Sequence, residues 1–369
     1  MATPSPRANL TSSDRLKIGL FSLNASQGIA MTRVPESWRV DWNEIKSVAR
    51  MADEAGLDFL LPLQRWRGYG GASDPRGVCM EAMTHSAALT GVTERITIFG
   101  TVQVSIVHPA WAARAVATLD HASNGRAGLN IVCGWNERDF AMFGALDVGA
   151  HHRYDQGEEW TQILKRLLKG EGPFDYNGEY YKITGAVCAP TPLQSDGPVL
   201  MCAGFSAPGR DFAARHTDVL FTTISSIENG YHHVQRLREL ANKYERAGRV
   251  GFYTPLHVVC RPTDSEAEDY YDHYAAKNAD SGAVDTYIVE NAKAGKPALA
   301  AAMKLNRKRI SGGFGSLGVI GSPQSVAEQL IELHRAGFSG VSISFVNFLQ
   351  ELPYFLGAVI PRLQSAGIR

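Results

Sequence analysis

The residues able to do chemistry gather at the ends of apolar runs. Asn24, Gln64, Arg65, Arg67, His108, Asn130, Asn136, Asp139, Ser206, Thr222, His257 and Asn347 each follow or interrupt a stretch of strand length. Amides, hydroxyls and lone charges dominate this set. Such groups hold and orient a polar ligand, but they do not form a paired acid and base. No HExxH, GxSxG or GxxxxGK[ST] occurs, and no GxGxxG follows the first strand. Zinc hydrolysis, serine hydrolysis and nucleoside triphosphate chemistry therefore lack their parts. Cys133 has no activating histidine at a readable distance and reads as a buried thiol.

Two segments suit a phosphate. Ala203-Gly204-Phe205-Ser206 lies between a strand and a helix, where free N–H groups and a hydroxyl can hold an anion. His151-His152-Arg153-Tyr154-Asp155 opens another helix and adds a cation and a phenol. Each alone reads as an ordinary cap or a solvated charge. Together, with amide-rich strand ends, they point to a phosphate-bearing cofactor with a polar ring that does the chemistry while the protein orients it.

The elements that must position these groups radiate from Asn124 to Gly134. Asn124-Gly125 supplies a turn with positive φ, and Ala127 to Val132 is an apolar strand with one amide inside, Asn130. A buried amide must find partners. It is either satisfied by neighbouring backbone or presented to a ligand at the strand's carboxyl end. Further strands are expected over Leu16–Leu23, Leu57–Leu63, Ile96–Val107, Val199–Cys202, Asp218–Thr222, Tyr253–Cys260 and Val341–Val346, with helices between them. Ser322 is an N-cap with Pro323 at the first helical position. Tyr176-Asn177-Gly178 predicts a hairpin with an Asn-Gly turn. The alternation predicts an α/β chain folded as a single (β/α)8 barrel from residue 15 to 369, with its site at the carboxyl mouth. Residues 1–14, rich in Ser, Thr, Pro and Ala, read as a disordered tail. Residues 280–315, rich in Ala, Lys and Gly, read as an inserted helix and mobile loop before the last βα unit.

The chain has 37 basic and 37 acidic residues, so nothing implies a polyanionic partner such as nucleic acid. No apolar run is long enough to span a membrane. Cys79, Cys133, Cys188, Cys202 and Cys260 are scattered and odd in number, which suits reduced thiols in a cytoplasm and no metal site.

These residues resemble a known family. Thr118 to Trp135, the His152-Arg153-Tyr154 helix opening, Asn177 to Tyr181, Cys202 to Ser206 and Gly321 to Ala327 are similar, in order, to the bacterial luciferase-like flavin-dependent monooxygenases. The Gln64-Arg65 strand end, Gly134-Trp135 and Ser344 to Leu352 look most like the dimethylsulfone/methanesulfonate and pyrimidine monooxygenase branches. The resemblance implies reduced FMN supplied by a separate NAD(P)H:flavin reductase, reaction with O2, and C–S or C–N cleavage of a small polar substrate. It implies a homo-oligomer, a dimer or tetramer. Flavin contacts would be Gln64, Arg65, Asn130, Asp139, Arg153, Tyr154 and Ser206. Asn24, Trp66 and His108 would line the substrate side, with His257, Asn347 and Trp135 as catalytic candidates.

One position departs from the pattern. Alkanesulfonate relatives carry an Arg two residues before the barrel His, where this chain has Pro255, so a long-chain sulfonate substrate is disfavoured. His257 itself reads either as an acid/base or as a core histidine. The segment holding Lys304, Arg307, Lys308 and Arg309 reads either as a lid over an anion or as a solvated basic helix. Two rival readings remain: a deazaflavin-dependent hydride transferase on the same barrel, and a non-catalytic flavin binder.

Overall fold

The computed structural model describes residues 5–134, 136–145, 149–293 and 297–369. After helix α1 (Pro6–Thr11), strands and helices alternate: β1 (Lys17–Phe21), α2 (Trp42–Glu54), β2 (Phe59–Leu61), α3 (Ala82–Leu89), β3 (Thr97–Gln103), α4 (Pro109–Ala122) and β4 (Ala127–Val132). Helices α5 (Glu137–Phe143) and α6 (Gly149–Leu168) follow, then a hairpin of β5 (Phe174–Asn177) and β6 (Lys182–Ala186). The pattern resumes with β7 (Val199–Ala203), α7 (Ala207–His216), β8 (Val219–Phe221), α8 (Ile227–Lys243), β9 (Gly251–Cys260) and α9 (Asp264–Asp272). Three helices come next: α10 (Ser281–Lys293), α11 (Pro297–Leu305) and α12 (Arg307–Gly313). The chain ends with β10 (Leu317–Gly321), α13 (Pro323–Arg335), β11 (Gly340–Ser344), α14 (Phe348–Ala358) and α15 (Ile360–Ser365).

The strands pair in parallel in the order β11-β1-β2-β3-β4-β7-β8-β9, and β9 returns to β11, closing the expected (β/α)8 barrel. Strand β10 is a ninth. It pairs with Leu256 to Cys260 of β9, beyond most of the stretch that pairs with β11. Alternate residues along each strand face opposite sides. Phe59, Leu61, Phe99, Val199, Met201, Val219, Phe221 and Tyr253 fill the barrel. Ile18, Leu60, Ile98, Leu129, Leu200 and Leu220 pack outward among the helices. Two glycines make the interior possible. A Cβ at Gly19 would come 2.4 Å from the Phe59 ring, and one at Gly128 would come 2.5 Å from Phe99.

Local signals placed several elements correctly. Asn124 and Gly125 both have positive φ, +54° and +80°, and turn α4 into β4. Ser322 caps α13, with Pro323 in its first turn. A cap of this kind contributes about 1 kcal/mol.

Four features differ from expectation. Residues 6–11 of the presumed tail form α1, whose fully buried Leu10 plugs the barrel floor and accepts a 2.8 Å hydrogen bond from Tyr253 Oη through its carbonyl. One apolar side chain among Ser, Thr and Pro gives no periodicity, so its value is visible only in the packed barrel. Segment 280–315 contains three helices, whose Ile288, Met303 and Ile310 form an apolar cluster with Met31 and Tyr69 of earlier loops. The hairpin turns over residues 178–181, and neither Asn177 nor Gly178 has positive φ. Gly178 is needed for space instead: Glu159 sits where its Cβ would be and accepts N–H groups of Glu179, Tyr180 and Tyr181. Helix α5 was not expected from the pattern. No helix among the described residues is long and apolar enough to cross a membrane.

Candidate active site

Loops following the strands form the barrel mouth, and three groups of residues matter there. The first joins α6 to α7. Ser206 caps α7, its Oγ accepting from Gly209 N–H at 3.2 Å. Tyr154 Oη lies 3.2 Å from the same oxygen, reached across 52 residues of chain. A Cβ on Gly209 would stand 2.6 Å from that phenol, so glycine is what admits it. Burial raises the Tyr154 pKa, keeping the hydroxyl a donor near neutrality. Arg153 donates to the Gly134 carbonyl at 2.9 Å, tying the end of β4 to α6. Tyr154 and Ser206 therefore meet at the start of α7, while Arg153, next in the chain to Tyr154, is held at the end of β4.

The second group is a buried charged corner. Arg65, at the end of β2, lies 3.6 Å from Asp139 of α5 and 3.8 Å from Glu290 of α10. Arg138 pairs with Glu290 at 2.6 Å, and Asn136 donates to the same carboxylate at 2.7 Å. Gln103, at the end of β3, donates to Asp139 at 3.3 Å and accepts from Trp66 Nε1 at 2.9 Å. Asp139 is fully buried, and that burial raises its pKa against the opposing pull of Arg65. Among the described residues its Oδ1 has no side-chain partner.

The third group is Asn130 inside β4. Its Nδ2 donates to Thr101 Oγ1 at 3.2 Å, and Thr101 donates on to the Pro62 carbonyl at 2.6 Å. Asn130 Oδ1 is buried without a partner. Half of the amide is thus structural, and the other half has no hydrogen-bond partner among the described residues.

Other predicted residues are placed elsewhere. Gln64 accepts from Ala82 N–H at 2.8 Å and supports the start of α3. Asn24 is fully buried and spends its amide on Leu63 and Met80, bracing two loops. His108 caps α4 through Nδ1 and is exposed. Asn347 caps α14 and donates to the Glu36 carbonyl at 2.8 Å. Trp66 stacks edge-on to Phe143, 4.6 Å between centroids, beside Gln103. Trp135 lies outside the described residues. His257 is buried between Gly313 and Gly318, its Nδ1 3.0 Å from Ser316 Oγ. Burial, then Arg309, pushes its pKa down to about 3, so the ring is neutral at physiological pH. These contacts give it the core position that a histidine in an apolar strand also predicts.

Above the barrel and beneath α10 to α12 lies a cavity of about 570 Å³. Phe21, Phe205, Phe221, Pro255, Met303 and Phe314 form much of its wall, with Arg76, Tyr287 and Arg309 among the polar groups. Sequence reasoning missed Thr101, Gln103, Arg76 and Glu290. Thr101 and Gln103 carried the same signal as Asn130, polar residues alternating within an apolar strand. Arg76 and Glu290 carried none. Among the described residues no cluster of three His, Cys, Asp or Glu could hold a metal, and all five cysteines are free.

Comparison with known proteins agrees with this architecture. A family model described as luciferase-like monooxygenase matches residues 16–340. The FMNH2-dependent dimethylsulfone monooxygenase of Pseudomonas putida is 28% identical over 361 residues, covering 96% of this chain and 96% of its own. The pyrimidine monooxygenase of Enterobacter sp. (strain 638) is 29% identical over 356 residues, 95% of this chain and 96% of its own. Among solved structures, riboflavin lyase with modified FMN and riboflavin has a TM-score of 0.85 at 22% identity, covering 96% of this chain and 92% of that one. That last likeness concerns the fold alone. With a family match spanning most of the chain, on the closed barrel and polar mouth just described, this protein belongs to the luciferase-like monooxygenases.

Proposed function

We propose that the chain is the oxygenase of a two-component system, taking reduced FMN from a separate NAD(P)H:flavin reductase and using O2 to oxygenate a small polar organic substrate. Cleavage of a C–S or C–N bond is the reaction class that the names of the relatives suggest. The observation that carries the cofactor is the pair of orphaned acceptors, Asn130 Oδ1 and Asp139 Oδ1. A buried unpaired acceptor costs about 1–3 kcal/mol, so it marks a place where a donor is expected. A reduced flavin ring has more N–H donors than an oxidised one, and two acceptors favour that form.

The residues present fit the rest of FMN. Ser206, Tyr154 and Arg153 offer two hydroxyls and a cation for the phosphate at the start of α7. When bound, reduced FMN supplies the electrons that activate O2. The chain's own part is to bind, orient and shield. Arg65 and Gln103 fix Asp139 in position, and Thr101 fixes Asn130. Helices α10 to α12 roof the cavity and limit water at the reacting centre.

Anaerobic titration with reduced and then oxidised FMN, followed by mixing with O2, tests this. Tighter binding of the reduced form and reoxidation kinetics unlike those of free flavin are expected. Absence of reduced-FMN binding, with tight binding of a reduced deazaflavin instead, would sink the proposal in favour of hydride transfer.

A further inference from the structure

The cavity beneath α10 to α12 has no carboxylate among its described lining residues, and two arginines reach it. They are used differently. Arg309 spends its guanidinium on backbone: Nε donates to the Gly315 and Ser316 carbonyls at 3.0 and 2.9 Å, Nη1 to Ser225 at 2.7 Å, and Nη2 to Ile224. It is a clasp between α12 and the loop after β8. Arg76 has no such duty. Its Nε is buried without a partner among the described residues, and Tyr69, Tyr287, Arg65 and Cys79 are the titratable groups that act on it most.

What surrounds Arg76 is aromatic. Its guanidinium carbon lies 3.6 Å from the centroid of the Phe314 ring. Phe314, Tyr69 and Tyr287 form a closed triad with centroids 5.3, 5.3 and 5.1 Å apart. Tyr69 comes from the same β2–α3 loop as Arg76, Tyr287 from α10 and Phe314 from the end of α12. The backbone is bent to hold this arrangement: Arg76 and Phe314 have φ of +63° and +51°, and Asp74 has +38°. Side chains other than glycine avoid that region unless the surroundings enforce it. Here Asp74 does so, accepting Gly70 N–H at 2.7 Å through its carboxylate and Gly77 N–H at 2.8 Å through its carbonyl.

A guanidinium remains charged even when enclosed, and rings alone do not satisfy its N–H donors. We propose that Arg76 is the specificity-determining residue of the cavity, gripping the carboxylate or short sulfonate head of an organic anion whose apolar body packs on Phe21, Phe205 and Phe221. The proposal rests on the monooxygenase reading above and narrows it from small polar substrates to anionic ones. It separates this chain from any oxygenase whose cavity takes only a neutral sulfone.

The test uses a pair of probes of nearly equal shape that differ by one charge, benzenesulfonate and methyl phenyl sulfone. Both are titrated calorimetrically into protein saturated with reduced FMN under anaerobic conditions. Wild type is expected to prefer the sulfonate at least tenfold, and chloride to weaken the sulfonate alone. Arg76→Met is expected to abolish the preference while leaving sulfone affinity within about twofold, and Arg76→Lys to restore part of it. No preference in wild type, or a preference that survives Arg76→Met, overturns the proposal. So does an Arg76→Met protein that loses reduced FMN but keeps benzenesulfonate, which assigns the cation to the flavin ring. Should Arg76→Met fail to fold, the wild-type preference, its chloride dependence and Arg76→Lys still decide. Failure of the monooxygenase reading looks different: reduced FMN does not bind any of these proteins.

Discussion

At the floor of the barrel, Asp58 accepts Ile18 N–H at 2.8 Å and pairs with Arg15 and Arg369, while buried Lys17 pairs with Asp14 and donates to the Arg15 carbonyl at 2.9 Å. At the mouth, Asn130 and Asp139 each keep a buried oxygen without a partner, Tyr69 Oη has none, and Arg76 has rings in place of an acid. Both regions bury charge, but the carboxylate at the floor is engaged through both oxygens and the one at the mouth through one. Chain termini do the work at the floor, with α1 and Arg369 closing over β1 and β2. At the mouth, loops bring polar groups together and leave them partly unspent. Cost without an internal partner is the mark of a site built for something outside the chain.

The sharpest break of that contrast is Asp58→Ala. It strands Arg15, Arg369 and a backbone donor, and removal of one partner from a buried pair costs roughly 3–5 kcal/mol. Urea unfolding should show that loss, while the folded protein should bind reduced FMN as before. Weakened flavin binding in the folded fraction would mean that floor and mouth are coupled.

His257 sits near the mouth, with Nδ1 3.0 Å from Ser316 Oγ and a neutral ring. Its folded pKa of about 3 lies below the ordinary value of 6.5, so the neutral ring favours the fold. That contribution is fully present above pH 6.5 and is lost as pH falls toward 3, at up to about 1.4 kcal/mol per pH unit for one proton. His257→Gln should flatten this acid limb in equilibrium unfolding at several pH values. An unchanged limb would show that another group, such as His85, which burial holds at about 4, is responsible.

At the proposed phosphate end, Ser206→Ala combined with Tyr154→Phe should weaken reduced FMN about tenfold in anaerobic calorimetry. Stability should fall by only about 1 kcal/mol, the worth of the lost cap. Equal losses in both measurements would make the pair a helix cap and nothing more.

The smallest effect on stability is the most diagnostic. Asn130→Leu removes an orphaned acceptor at similar volume and should leave the melting temperature of the flavin-free protein unchanged or slightly raised. Reduced-FMN affinity should nevertheless drop. A clear fall in melting temperature would make Asn130 a structural amide after all.

Parts of this site were legible without a structure because their signals are local. An amide in a wholly apolar strand marked Asn130, and a Gly-Ser loop before a helix marked Ser206. Arg153-Tyr154 opened a helix in a way that suggested an anion. The same logic picked Asn24 and Asn347, and a polar residue at a strand end looks alike whether it faces a ligand or caps a neighbour. Asn24 turned out to hold Leu63 and Met80, and Asn347 to hold α14 and Glu36. Gly178 shows a related limit: composition marked the turn, but the Glu159 carboxylate explains the glycine.

The alternation of strands and helices, the Ser322 cap, the family and the amide inside β4 could be read from the residues alone, because hydrophobic period and turn chemistry act over a few residues. Chain closure was needed to show that Leu10 plugs the floor, that Glu290 reaches Arg65 and Arg138, and that Arg76 faces a cavity with no acid among its described lining residues. Those contacts join segments far apart in the chain, and no local pattern records which charges closure will pair and which it will leave for a ligand.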